Sequence, residues 1–336
     1  MALDPVPSSL RKQGSILINL DSRFRTLWGT SGNDTSFCIA LSGGVDSMVL
    51  LHLMKNLRDK NPAIKLRAVH VHHGLNKNAD EWQQFCTKVC AEYQIDFIAK
   101  NVEVKIENGE SLEALARDRR YAVFADILNE NEVLLTAQHQ DDQAETFLLQ
   151  LMRGAGIRGL SSMPLEKKLG AGILLRPLLN FTRSEIEEYA RENKLKWVED
   201  SSNENNQFNR NYLRNEIIPE LKKRWPQASA SITRSAEHCA NAESLLNEYL
   251  EHDYAQCVND KNQLSIEKLI EFSELRQRAI LRYWITQQNF LMPSTKHLDE
   301  IIRTVVLASL DAQPKFTYGN AVIYRIKKHL QIEKAL

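Results

Sequence analysis

The stretch Ser42–Ser47 has the sequence SGGVDS and lies between a short apolar run, FCIAL from Phe37, and a longer amphipathic stretch. The apolar run predicts a buried strand, and the stretch after it predicts a helix. Two consecutive glycines at such a junction let the backbone turn tightly and come close to a ligand. The N–H groups of the loop and of the helix N-terminus then form a cradle for an anion, to which the two serine hydroxyls add donors. Two glycines alone would favour an ordinary strand–helix turn, so the rest of the string decides.

The charge of this loop distinguishes it from other phosphate-binding loops. A Walker A loop offers a lysine to phosphates, whereas this loop has Asp46. A carboxylate beside a polyphosphate is repulsive unless a divalent cation lies between them or the side chain only caps the helix. The string therefore predicts a lysine-free polyphosphate site with Mg²⁺, and its spacing is not the GxGxxG of NAD-binding loops.

The sequence around the loop alternates between short apolar runs and longer amphipathic stretches as far as Leu179. This rhythm predicts an α/β fold with a doubly wound parallel sheet and helices on both faces. Thr182 to Glu185 has the spacing of a capping box that opens a further helix. The predicted strands begin at Phe37, Leu66, Asp96, Asn131 and Gly172.

The character of the chain changes after an Asn-rich stretch that begins at Glu199. We expect a catalytic domain over residues 1–215 and a mainly helical second domain over residues 216–336. Its last segment, from Lys315, predicts a hairpin that turns at Tyr318 to Asn320.

Composition narrows the class of protein. The 336 residues include 43 Lys and Arg against 43 Asp and Glu, so net charge alone does not indicate nucleic acid binding. No apolar run is long enough to span a bilayer, and the N-terminal stretch has no signal-peptide core, so we expect a cytoplasmic protein without membrane association. The chain has five cysteines and no recognisable export signal, so we do not expect disulfides.

Two further patterns carry charge at helical spacing. Asp142 and Glu145 fall at i, i+3 at the end of the fourth predicted strand, where a capping box, a site for an ammonium group or a shared metal would all produce the same spacing. Arg117 and Arg120 share one helix face, which is typical of a solvated surface and also of a phosphate-binding pair. Residues 208–224 hold five basic and two acidic residues, Arg210 and Arg214 among them, and predict a local basic stripe.

Resemblance to known families adds to this interpretation. SGGVDS after a buried first strand resembles the signature of the N-type ATP pyrophosphatases, the PP-loop superfamily with an adenine nucleotide alpha hydrolase-like fold. Those enzymes cleave ATP between the α and β phosphates and adenylate a carbonyl oxygen. The strings VHVHHGLN, ARDRRY, TAQHQDDQAET, RPLL and EDSSN…FNRNYLRNEIIP follow in order up to Pro219. Together with SGGVDS they closely resemble the tRNA(Ile)-lysidine synthetase family, whose tRNA-binding domain the helical region resembles more weakly.

The resemblance implies ATP-dependent adenylation, with Mg²⁺, of the C2 carbonyl of the wobble cytidine in tRNA(Ile) with a CAU anticodon. Free L-lysine then displaces AMP and forms lysidine. Asp46 and Asp142 would be catalytic, Asp46 would lie near Mg²⁺, and Asp142 with Glu145 would bind lysine. Phosphate or tRNA would contact Arg210, Arg214, Arg117 and Arg120. The ATP-binding residues would be Ser42, Gly43, Gly44, Val45, Asp46 and Ser47.

Three departures from the family pattern accompany the resemblance. Gln138 stands where the family usually has histidine, and Asn76 stands where arginine is common. A further C-terminal domain of longer members is expected to be absent here. The sequence leaves open whether the protein forms a homodimer.

Other functions predict other features. A tRNA thiolase of the same superfamily would need CxxC pairs, which Cys86 and Cys90 do not supply. A glutamine-dependent amidotransferase would need an ammonia-producing domain or a nucleophilic cysteine near a terminus. A non-catalytic ATP-binding module would bind ATP without turnover, and the set of Asp46, Asp142 and Glu145 argues against it.

Overall fold

The computed structural model describes residues 36–72, 74, 78–102, 112–200, 202, 205–309 and 312–335. The chain divides into two compact units, one ending at Ala240 and one that begins at Asn241. Within the described residues no helix is long and apolar enough to cross a bilayer.

The first unit is built on a six-stranded sheet with the strand order β3-β2-β1-β4-β6-β5. Five of the strands run parallel, and β5 pairs antiparallel with β6. The predicted doubly wound, mainly parallel sheet is confirmed. The strands are β1 Ser36–Ala40, β2 Lys65–His72, β3 Asp96–Asn101, β4 Glu132–Leu135, β5 Glu166–Leu169 and β6 Gly172–Leu175.

Strand β5 is the one element of this sheet that the sequence pattern did not predict. Its sequence is EKKL and its first three residues are exposed, so it has none of the apolar character of a buried parallel strand. It lies at the sheet edge, where charged side chains protect the unpaired backbone.

Helices cover both faces of the sheet. Phe37 and Ile39 of β1 contribute to the core on one face and Cys38 to the core on the other, because successive side chains of a strand alternate. The predicted capping box is present, since Thr182 Oγ1 accepts from the N–H of Glu185 at 3.2 Å and Glu185 Oε2 accepts from the N–H of Thr182 at 2.8 Å. The helices are α1 Val45–Lys60, α2 Ala79–Glu92, α3 Leu112–Ile127, α4 Gln140–Met152, α5 Ile157–Leu160, α6 Arg183–Glu192, α7 Asn209–Tyr212, α8 Ile218–Arg224 and α9 Ala228–Cys257, with a π-helical turn at Leu213–Ile217.

The strand order places a switch point between β1 and β4. The chain leaves β1 toward β2 and β3, and then returns to β4 on the other side of β1. Ligands of open α/β sheets bind at such a point, in the crevice beyond the carboxyl ends of the strands. The loop after β1 is SGGVDS, and the loop after β4 leads to Asp142.

The second unit combines helices with a small antiparallel sheet of order β7-β10-β9-β8. Its core surrounds Trp284, which is fully buried and donates its ring N–H to the carbonyl of Asn262 at 2.9 Å. The predicted terminal hairpin is present as β8 and β9, but it continues into β10 and pairs with β7. The elements are β7 Leu264–Ser265, α10 Ile266–Ile270, α11 Glu274–Gln287, α12 Thr295–Ile301, a π-helical turn at Ile302–Val306, β8 Lys315–Tyr318, β9 Ala321–Ile326 and β10 His329–Lys334.

Candidate active site

The SGGVDS loop requires glycine at Gly43 for two reasons. Its φ of +89° lies in the region that side chains disfavour. A Cβ at this position would also lie 2.9 Å from Val198 Cγ2 and 3.2 Å from Cys86 Sγ. Ser47 Oγ fixes the turn, since it accepts from the N–H of Gly43 at 3.1 Å and donates to the carbonyl of Gly44 at 2.9 Å. The loop is therefore shaped by its own hydrogen bonds.

The N-terminus of α1 opens directly from this loop. Gly44 is the N-cap and has no side chain with which to cap the helix, while the hydroxyl-bearing Ser42 is exposed. The backbone N–H groups of a helix start with such a cap are suited to an anion. The N–H groups of Gly43 and Gly44 donate to Ser47 Oγ at 3.1 Å and to Ser42 Oγ at 3.4 Å, so an anion would meet the first turn of α1. Phosphate binding by Ser42 to Ser47 stays a prediction.

Two buried side chains, His70 and Cys86, pack near the loop. His70 Nδ1 lies 2.8 Å from the carbonyl oxygen of Leu41 and 3.9 Å from Cys86 Sγ. Burial lowers the pKa of His70 and raises the pKa of Cys86 to about 12, so both groups are neutral at physiological pH. These two groups pack against the loop as uncharged side chains.

Asp46, on the first turn of α1, has two carboxylate oxygens in different surroundings. Its Oδ2 accepts from Arg183 Nη1 at 3.1 Å. Its Oδ1 is buried without a hydrogen-bond partner among the described residues and lies 3.8 Å from His139 Nε2. Burial raises the pKa of Asp46, and the nearby His139 and Arg183 offset this only in part. One oxygen of a predicted metal ligand is thus available.

His139 lies between the carboxylates of Asp46 and Asp142. Its Nε2 is 3.4 Å from Asp142 Oδ2, and both ring nitrogens are buried without a hydrogen-bond partner among the described residues. The same Asp142 oxygen accepts from the backbone N–H of His139 at 3.0 Å, which closes the start of α4. Asp142 thus caps the helix and also faces His139, while its binding of lysine or a metal stays a prediction. His139 is a site residue that the sequence did not assign, although its position directly before the acidic turn was a usable signal.

Glu145 binds the two arginines of the segment that follows the Asn-rich stretch. Its side chain is 1% exposed, and it accepts from Arg214 Nε at 2.6 Å and from Arg210 Nε at 2.7 Å. Arg214 Nη2 also donates to Asp142 Oδ1 at 2.8 Å. The structure therefore joins the predicted lysine-binding pair directly to the predicted phosphate-binding pair.

The charges of this cluster hold one another in their ionised forms. Burial by itself would raise the pKa of Asp142, but His139, Arg210 and Arg214 outweigh it and the pKa is lowered. Burial would likewise lower the pKa of Arg214, but Glu145 and Asp142 raise it above its ordinary value. The predicted basic stripe therefore directs both arginines into the first unit as partners of its carboxylates.

Asp141 connects the elements that carry the site. Its Oδ1 accepts from Ser229 Oγ at 2.7 Å and pairs with Lys222 Nζ, while its Oδ2 accepts from the backbone N–H of Arg183 at 3.0 Å. Burial would raise the pKa of Asp141, but Lys222, the N–H of Arg183 and Ser229 outweigh it and lower the pKa to about 2. The start of α4 is thereby fixed to α6, α8 and α9.

Two further predicted residues, Arg117 and Arg120, lie on α3. The guanidinium of Arg117 lies 5.5 Å from the centre of the Tyr121 ring on its own helix, and Arg120 is exposed. Asn76 lies outside the described residues. A role for either arginine in phosphate or tRNA binding stays a prediction.

The donor set fits Mg²⁺ that arrives with a nucleotide. In the part of the chain that the structure describes, no group of three or more His, Cys, Asp or Glu side chains is arranged to hold a metal ion. Mg²⁺ commonly takes only one or two protein carboxylates and completes its shell with water and substrate phosphates. The free Oδ1 of Asp46 beside a phosphate cradle satisfies that requirement.

The sheet, the switch point and the SGGVDS loop define a PP-loop protein, and the PP-loop domain family model matches residues 18–221. A second model, the TilS substrate binding domain, matches residues 264–330. The chain belongs to the tRNA(Ile)-lysidine synthase family, a family of ligases with an ATP-using PP-loop domain. The predicted superfamily and family are thus confirmed.

Named relatives support this assignment over most of the chain. The tRNA(Ile)-lysidine synthase of Coxiella burnetii is 47% identical over 307 residues, which are 91% of this chain and 68% of that protein. That of Proteus mirabilis is 44% identical over 302 residues, or 90% of this chain and 68% of that protein. A solved U34-tRNA thiolase, NcsA from Methanococcus maripaludis with its [4Fe-4S] cluster, is similar in fold alone, with a TM-score of 0.54 and 18% identity over 68% of this chain and 79% of that one.

Proposed function

We propose that the protein ligates free L-lysine to C2 of the wobble cytidine in tRNA(Ile) with a CAU anticodon, using ATP with Mg²⁺. The observation that carries this proposal is the group Asp46, His139 and Asp142. It lies beside a phosphate cradle at the switch point, in a chain of the tRNA(Ile)-lysidine synthase family. Such a substrate would place the protein in the cytoplasm.

In the first step, the C2 carbonyl oxygen of the cytidine attacks the α phosphorus of ATP. A bond forms between this oxygen and phosphorus, the bond from the α phosphorus to the bridging oxygen breaks, and pyrophosphate leaves. The N–H groups at the start of α1, after the SGG turn, would bind the phosphates, and the Oδ1 of Asp46 would hold Mg²⁺. When bound, Mg²⁺ supplies positive charge against the polyphosphate, which favours the leaving of pyrophosphate.

In the second step, the lysine amine attacks C2 of the adenylated cytidine. A C–N bond forms, the C–O bond to the phosphate breaks, and AMP leaves. The ammonium of lysine must first lose a proton, because only the neutral amine is a nucleophile. His139 lies next to Asp142, and its ring nitrogens are buried without a hydrogen bond among the described residues; in its neutral form this imidazole would accept that proton.

Lysine binding at Asp142 and Glu145 requires an exchange of cations. Arg214 bonds to both carboxylates, and its side chain is 30% exposed against 18% for Arg210. We expect the ammonium of lysine to replace Arg214, since both carry one positive charge and the exchange leaves the carboxylates neutralised. The guanidinium so released can bind the phosphate of the adenylate.

Pyrophosphate release tests the proposal. In a folded sample that binds ATP, release should require a CAU-anticodon tRNA(Ile) transcript and should increase with lysine. Asp59→Ala is the control variant, because it removes an exposed acid on the same helix as Asp46. Its pyrophosphate release should equal that of the wild type. Release that responds to neither lysine nor the transcript would refute the proposed function.

A further inference from the structure

Arg183 is the site side chain to which no motif or family string assigns a role. It is the first residue of α6 and forms three contacts. Its Nη1 donates to Asp46 Oδ2 at 3.1 Å, its Nε donates to Glu187 at 2.8 Å, and its backbone N–H donates to Asp141 at 3.0 Å. The side chain therefore neutralises the predicted metal ligand, while the backbone is fixed separately.

The bond between Arg183 and Asp46 can be exchanged at little cost. The side chain of Arg183 is 41% exposed, more than those of Arg210 and Arg214. The side chain of Asp46 is 25% exposed, and ion pairs near the surface shift an equilibrium by roughly fivefold. The capping box and the Asp141 contact hold the start of α6, so the guanidinium can leave Asp46 while the helix stays in place.

Asp46 cannot serve Arg183 and a divalent cation equally well. A cation at this carboxylate would stand next to a guanidinium of the same sign of charge, and the arginine would be repelled. An arginine fork matches the geometry of phosphate oxygens, to which it can donate two parallel hydrogen bonds. The polyphosphate is therefore the natural second partner of the released side chain.

The contact with Asp46 indicates which phosphates Arg183 would bind. Arg214 contacts Asp142 and Glu145 and also interacts electrostatically with Asp46 and Arg183. Arg183 is the guanidinium that contacts the predicted Mg²⁺ ligand itself. Since Mg²⁺ in such sites completes its shell with substrate phosphates, the released Arg183 would meet the phosphates that accompany this cation.

We propose that Arg183 is an exchangeable counter-ion, which neutralises Asp46 before the nucleotide binds and binds the pyrophosphate part of ATP once Asp46 holds Mg²⁺. This inference rests on the proposed use of ATP with Mg²⁺. It predicts that loss of the guanidinium changes Mg²⁺ binding and pyrophosphate binding in opposite directions. Removing the guanidinium eases Mg²⁺ binding, because a competitor is lost, and weakens pyrophosphate binding, because a ligand is lost.

Calorimetric titrations of the full chain test both expectations without turnover. In the absence of nucleotide, Arg183→Met should bind Mg²⁺ roughly two- to fivefold more tightly than the wild type. It should bind pyrophosphate roughly tenfold more weakly, the loss of a charge-assisted hydrogen bond. Arg191→Met is the matched control, since Arg191 is exposed on the same helix and contacts the same Glu187.

The outcomes separate this inference from the proposed function. An Arg183→Met protein that binds Mg²⁺ no more tightly than the wild type, or that binds pyrophosphate as tightly as Arg191→Met, overturns the role of Arg183 alone. A wild type that binds neither ligand overturns both proposals. Arg183→Lys, which keeps the charge but not the fork, serves if the methionine variant does not fold, and it should still lose affinity for pyrophosphate.

Discussion

Replacing Asp141 by asparagine should destabilise the first unit, because this carboxylate fixes the start of α4 to three other helices. The substituted amide would keep the shape of the side chain and lose its negative charge. Lys222 would lose its ion-pair partner, and Ser229 and the N–H of Arg183 would compete for a single neutral acceptor.

The size of this effect follows from the pKa of Asp141. The pKa falls from its ordinary value of 3.8 to about 2 in the folded protein. At about 1.4 kcal/mol for each pKa unit, the ionised carboxylate stabilises the fold by about 2 kcal/mol at neutral pH. The side chain is 11% exposed, so screening by solvent reduces this value little.

The effect should also depend on pH with a definite sign. Because the folded pKa is depressed, the stabilisation is complete above the unfolded pKa and is lost as the pH falls through the folded pKa. About half of it should remain at pH 3, and little should remain below about pH 2. Urea titrations at several pH values measure the free energy of unfolding. Hydrogen exchange of peptides from Gln140–Met152 measures the stability of the helix that carries the substitution.

The control is Glu220→Gln, which removes an exposed partner of Lys223 on α8 and should change the free energy of unfolding by less than about 0.5 kcal/mol. A difference between wild type and Asp141→Asn that stays constant from pH 7 to pH 3 would contradict the linkage argument. So would a loss at neutral pH no larger than that of the control.

Two further predictions concern the site itself. Gly43→Ala should weaken ATP binding, measured by calorimetry, because the new Cβ meets Val198 and Cys86 in a backbone conformation that alanine disfavours; unchanged affinity would show that the loop can relax. Asp46→Ala should abolish adenylate formation, whereas Glu145→Gln should raise the lysine concentration needed and leave adenylation largely intact, as single-turnover assays of the two steps can show. Equal loss of both steps in the Glu145 variant would contradict this division of roles.

Strands β1, β4 and β6 of the first unit could be predicted because they are largely buried and therefore mainly apolar. Strand β5 could not, since an edge strand of sequence EKKL owes its pairing to β6 and not to its own composition. The terminal hairpin was visible through its local turn at Gly319, but its pairing with β7 depends on a partner far away in the chain.

The site could be predicted as a set of residues but not as an arrangement. SGGVDS and the acidic turn at Asp142 were identified because their spacing is local. A linear pattern shows the charges of Glu145 and Arg214 but not that two groups 69 residues apart bond to each other. Arg183 was missed for the same reason, since only the fold brings it to Asp46.

The proposed reaction attaches lysine covalently to the wobble cytidine. Incubation of the full chain with ATP, Mg²⁺, radiolabelled lysine and a CAU-anticodon tRNA(Ile) transcript measures this directly, with a transcript that carries guanosine at the wobble position as the control. We predict label in the cytidine transcript alone, because guanosine has no C2 carbonyl to adenylate. Pyrophosphate release without label in the cytidine transcript, or equal label in both transcripts, would contradict the account.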